Sequence, residues 1–106
     1  MQLLTEAIKK KIPALYSRES THNESLPCFT CKFFDPCGSW TWYVLEGEEL
    51  ENGDWRFYGL VTGFESEWGY FMLSELESVR GPLGIGIERD LYFEDVPVES
   101  VDPQAV

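Results

Sequence analysis

The sequence predicts a single α+β domain. It would have an N-terminal helix, an antiparallel sheet of four to five strands, and a short capped helix before the last strand. Three observations carry that reading. Apolar residues recur at helical spacing over residues 4–15. Three aromatic runs between residues 40 and 72 alternate as strands do, with short connections. Ser74-Glu75-Leu76-Glu77 then reads as a helix start.

The chain has 106 residues, enough for one domain with one modest core. Hydrophobic residues make up 43%, which separates it from disordered chains. Residues 1–96 are expected to form the domain, and residues 97–106, with two prolines and two acidic groups, a loose acidic tail.

In the first element, Leu4, Ile8, Ile12 and Leu15 share one helical face. Thr5 is placed to cap the start, Glu6 sits in the first turn, and Lys9–Lys11 lie where cations favour the helix dipole. Pro13 ends or kinks the helix. Residues 17–27 are polar and aperiodic and read as a surface loop. Cys28 to Phe34 reads as a strand, and Asp35-Pro36-Cys37-Gly38 as a turn.

Trp40 and Trp42 alternate with Thr41 and Tyr43 in the next strand. Residues 46–54 hold five acidic groups with two glycines and read as an exposed hairpin loop. In the strand from Trp55 to Thr62, Trp55, Phe57, Gly59 and Val61 share one face, and Arg56, Tyr58 and Leu60 the other. Trp68 to Met72 is a further strand, completing an antiparallel meander. In the short helix, Ser74 and Glu77 would form a capping box, Gly81 a left-handed cap, and Pro82 a stop. The last strand would run from Ile87 to Phe93.

The formal net charge is −11, unevenly spread. Residues 1–18 balance to +3 and residues 19–106 to −14. A body this acidic repels nucleic acid and anionic membrane and favours partners with a basic surface. No apolar run reaches the roughly 20 residues of a spanning helix. The N-terminus lacks the apolar core of a secretory signal. Three cysteines, an odd number, fit a reducing compartment, so a cytoplasmic protein is expected.

Four constellations could carry chemistry. His22, Cys28, Cys31 and Cys37 offer four zinc ligands, with free thiols or a redox pair as other readings. In a strand, Cys28 and Cys31 would point to opposite faces, which works against the metal. The aromatic set that includes Trp42 and Tyr43 reads as core or as a protein-binding patch; base stacking would need a basic groove. Arg89 interrupts an apolar stripe and needs a partner, with Glu75 or Glu77 the first candidates; a ligand-binding arginine is the alternative. Glu88 and Asp90 share the opposite face, at a spacing that would suit a metal or an acid–base pair. Residues 81–86 resemble a phosphate loop only loosely and read as a connector. No nucleophile–histidine arrangement is apparent, and the single histidine lies in the polar loop.

The series Trp40-Thr41-Trp42-Tyr43, Gly69-Tyr70-Phe71, residues 73–77, Gly81-Pro82-Leu83-Gly84 and residues 87–93 resembles a bacterial family of small domains of unknown function, as do Leu3-Leu4-Thr5 and residues 12–16. The resemblance implies an origin on plasmids, phages and integrative elements, and with it an accessory or anti-defence role. It implies no catalytic residue.

Three functions are thus expected of the sequence. The leading one is a non-enzymatic, cytoplasmic protein-interaction domain with an acidic face. The others are a small enzyme or ligand-binding domain with a polar pocket around Arg89, and a zinc-stabilised binding module.

Overall fold

A computed structural model describes residues 2–15 and 28–101. The loop expected over 17–27, and His22 within it, lie outside those residues.

Helix α1 (Glu6–Lys11) opens where the hydroxyl of Thr5 accepts from Ile8 N–H at 3.3 Å. It stops at Ile12, which turns extended ahead of Pro13 because a residue before proline is driven out of the helical region. The helix is shorter than the spacing over 4–15 predicts: Leu4, Ile12 and Leu15 are buried but lie outside it, and within it Ile8 is half-buried and packs against the core that holds Leu4 and Ile12.

The main sheet has five antiparallel strands in the order β5-β4-β3-β2-β6. They are β2 (Cys31–Phe34), β3 (Thr41–Glu49), β4 (Trp55–Thr62), β5 (Ser66–Met72) and β6 (Glu88–Arg89). Helix α2 (Leu73–Ser78) follows β5 and carries the chain across to β6 at the opposite edge. A second, two-stranded sheet joins β1 (Cys28–Phe29) to β7 (Val96–Pro97), and the short helix α3 (Val98–Val101) follows.

The side-chain alternation of β4 divides the interior in two. On one face, here the helical face, Trp55 and Phe57 join Cys31, Phe33, Val44 and Phe71 beneath Leu3, Leu4, Ile12 and Leu76. Phe57 is fully buried, and its ring lies 5.5–6.1 Å from those of Phe33, Trp55 and Phe71. On the other, the aromatic face, Leu60 and Tyr58 join Phe29, Tyr43, Leu45, Trp68 and Phe93, covered by Val98 and Val101.

A bulge between Val44 and Glu46 leaves Leu45 without a cross-strand partner. Val44 then packs into the helical face and Leu45 into the aromatic one. Opposite the bulge, Gly59 has no alternative: a Cβ there would stand 1.8 Å from the carbonyl oxygen of Tyr43.

Several expectations need correction. The strand foreseen over 28–34 breaks at Thr30, and its halves enter different sheets. The acidic hairpin is shorter than expected, because β3 runs to Glu49 and buries Glu46; the loop proper is residues 50–54. The last strand contracts to Glu88–Arg89, since Asp90 turns the chain by accepting Tyr92 N–H. Residues 97–101, foreseen as loose, pair with β1 and then form α3, held by Val98, which is 4% exposed.

Candidate functional site

Helix α2 is capped differently from the pattern Ser74-Glu75-Leu76-Glu77. Its first helical residue is Leu73, so Glu75 rather than Glu77 occupies the third position and accepts Met72 N–H at 2.8 Å. Ser74 is not the cap. Its N–H and hydroxyl both donate to the Asp54 carboxylate, at 3.0 and 2.6 Å. Those bonds and a third from Trp55 N–H hold the Asp54 carboxyl below its ordinary range. Asp54 therefore ties the β3–β4 turn to the start of α2. The sequence contains the acceptor but not the pairing, which spans 20 residues. The left-handed conformation expected at Gly81 appears instead at Leu83 and Gly84.

Arg89 is half-buried on β6, opposite Phe33. Its Nη1 donates to the carbonyl oxygens of Gln2 and Leu3, at 2.6 and 2.7 Å. Two of its acceptors are thus backbone carbonyls, which the residue pattern did not suggest. Arg89 thereby fastens the N-terminal segment to the edge strand and helps to seat Leu3 and Leu4 in the helical face. Glu75 and Glu77 are exposed on α2. Glu88 is half-buried opposite Phe34, and Asp90 pairs with Lys32 at 3.7 Å.

Trp42 and Tyr43, neighbours on β3, part company: Trp42 packs on the helical face and Tyr43 on the aromatic face, its ring 5.2 Å from that of Phe29. Both are half-buried.

Cys28 is half-buried in β1, Cys31 is buried in β2, and Cys37 is exposed in the turn before β3, all as free thiols. Burial pushes the Cys31 thiol up to about 12, away from the thiolate that a metal or a redox step requires. Among the described residues no group of three His, Cys, Asp or Glu side chains is placed to hold a metal ion.

The charged groups are arranged asymmetrically. Lys9 pairs with Glu6, Lys11 with Asp95 and Lys32 with Asp90. Arg56 lies over the ring of Tyr70, Arg80 donates to the carbonyls of Glu77 and Val79, and Arg89 is committed as described. Against these, Glu48, Glu49, Glu51, Glu65, Glu67, Glu75, Glu77 and Glu99 are exposed.

Sequence reasoning did not single out the side chains at one end of the sheet. Phe64 and Leu83 are 91% and 97% exposed; Trp40, also exposed, meets the Phe64 ring, and Ile85, exposed as well, follows Leu83 in the same connection. The available signal was an apolar residue set in a turn, Gly63-Phe64-Glu65, and another inside a glycine-rich connector.

The model of a family described as a protein of unknown function, DUF2958, matches residues 3–101, nearly the whole chain. The chain belongs to this DUF2958 family. Its matched span takes in β7 and α3, so the closing elements of the aromatic face are part of the family domain. No curated protein and no solved structure matches the chain. Among the described residues no helix of this DUF2958 domain is long and apolar enough to cross a membrane.

Proposed function

We propose that this DUF2958 domain is a non-enzymatic, cytoplasmic protein-interaction module that binds a basic partner through its acidic exterior. The observation that carries the reading is the asymmetry of charge. Three basic side chains are paired with carboxylates and three more are held against neutral groups of the same molecule, and the eight exposed glutamates named above outnumber them. The field offered to an approaching molecule is therefore negative, which steers basic proteins toward it and turns nucleic acid away. The family resemblance adds a setting, an accessory or anti-defence factor of a mobile element acting on a host protein.

Affinity capture from a bacterial lysate tests this at low and moderate salt. A specific basic protein is retained at low salt and released as salt rises, because surface charges are screened within about 10 Å at 0.1 M. Recovery of no protein, or retention indifferent to salt, contradicts the proposal.

A further inference from the structure

We infer that the contact is made by one end of the main sheet, and that its occupant is a protein with an apolar pocket bordered by lysine or arginine side chains. This deepens the interaction reading above and rests on it.

The register brings three connections together. Phe34 pairs with Thr41 and with Glu88, Thr41 with Thr62, and Thr62 with Ser66. Residues 35–40, 63–65 and 81–87 therefore all leave the sheet at the same end. They also touch. The Trp40 ring lies against Gly63, where a Cβ would come within 2.6 Å of it, and meets Phe64 edge-on at 6.3 Å. Gly81 faces Cys37, and its N–H donates to Ile85 at 2.8 Å.

Single exposed apolar residues are ordinary on a protein surface. Here Trp40 and Phe64 are in ring contact, and Leu83 and Ile85 stand exposed in the connection into β6 at the same end of the sheet; apolar side chains gathered at one end in this way are the kind of surface that marks an interface. Leu83 adds a further sign. Its φ of 63° lies in the left-handed region that a leucine seldom occupies, and the side chain it holds there makes no core contact. Phe64 and Leu83 project from turns, so they are shaped to enter a pocket.

Charge selects the occupant. Asp35, Glu65, Glu67 and Glu88 border the apolar residues. Arg80, on the same border, turns its Nη1 to the carbonyls of Glu77 and Val79. An anionic lipid surface or a second copy of this chain would meet like charge, while a basic rim on the partner would meet its complement.

The test uses the full chain with a photo-reactive benzophenone side chain at position 64, 83 or 92. Tyr92 is 93% exposed but lies past the other end of β6. Illuminated in bacterial lysate, positions 64 and 83 should join to the same basic protein and position 92 should not. Retention of that protein should fall about tenfold in F64S/L83S, as for the loss of a central apolar anchor. It should fall in E65K/E67K as well. All of these side chains are exposed, so the melting temperature should be unchanged and loss of binding is not loss of fold.

Undiminished retention by folded F64S/L83S, or an adduct at position 92 in place of 64 and 83, overturns this placement and leaves the interaction reading standing. Retention indifferent to E65K/E67K overturns the basic border. An adduct of twice the chain mass overturns the choice of occupant. Failure of the unsubstituted chain to retain any protein overturns both readings.

Discussion

The two faces of the main sheet are covered by unlike means. The helical face is closed by α1, α2 and the N-terminal segment, and its cluster runs from Leu3 to Ile87. The aromatic face is closed by the tail, with Val98 buried and Val101 packed beside it, and by β1, which pairs with β7 and whose Phe29 ring stacks on Trp68 at 5.7 Å. Two six-residue helices, with Leu3, Leu4 and Ile12 flanking the first, secure the helical face; a few residues near the C-terminus secure the aromatic one. The lesson is that the helical face carries the stability of the domain, while the aromatic face depends on a short segment of weak intrinsic structure.

The comparison breaks most readily at Phe57. Phe57→Ala empties the centre of the helical face and should cost about 4 kcal/mol in urea unfolding; a cost below ~1 kcal/mol would remove that face from its leading role. Gly59→Ala comes next. Its methyl collides with the Tyr43 carbonyl, a backbone atom at the bulge that joins the two faces, and a loss of about 2–3 kcal/mol is expected by thermal or urea denaturation.

On the aromatic face, Val98→Ala should cost only about 1–2 kcal/mol. It should nevertheless raise binding of a hydrophobic dye, because loosening α3 uncovers aromatic rings. A larger loss than at Phe57 would invert the comparison.

Asp54→Ala removes the tie between the β3–β4 turn and α2 and should cost about 1 kcal/mol at neutral pH, as for other capping carboxylates. The Asp54 carboxyl is lowered in the folded state, so its contribution is complete above the ordinary value near 3.8 and fades as pH falls through the lowered one. The difference between Asp54→Ala and the unsubstituted chain should therefore shrink in acid.

The smallest effect concerns the thiols. Cys37 should react at once with a thiol reagent at mildly alkaline pH, and Cys31, inside the helical face with its thiol pushed up to about 12, only on unfolding. Fast labelling of Cys31 would mean that the helical face opens readily.

These same residues mark what could be read from the chain. The helical face was legible in part: Trp55 and Phe57 stand on alternate positions of β4, and the apolar recurrence over 4–15 marks Leu4, Ile8 and Ile12, of which only Ile8 lies within α1. The α+β class and the antiparallel sheet followed from those periods. The cover of the aromatic face was not legible. Val96, Val98 and Val101 stand among prolines and carboxylates; Val96 finds its partner in Phe29, and Val98 and Val101 theirs in side chains drawn from Phe29 to Trp68, which no local pattern announces.

The candidate site divides in the same way. Arg89 was recognised as a cation in need of partners, but two of its acceptors are backbone carbonyls, those of Gln2 and Leu3, and a carbonyl leaves no trace in residue type. The capping pattern at 74–77 was real in kind but displaced, since Asp54 supplies Ser74 with a stronger acceptor. The apolar end around Phe64 and Leu83 escaped because residues in three separate connections become neighbours only through strand register.

The central claim is that the interior faces serve stability and that the partner meets the end of the sheet around Trp40, Phe64 and Leu83. Amide hydrogen exchange, measured on the chain alone and saturated with its captured basic partner, tests this most directly. New protection is expected at residues 35–40, 63–65 and 81–86, with the two faces unchanged. Protection confined to the hairpin at 50–54 or to α3 would contradict it.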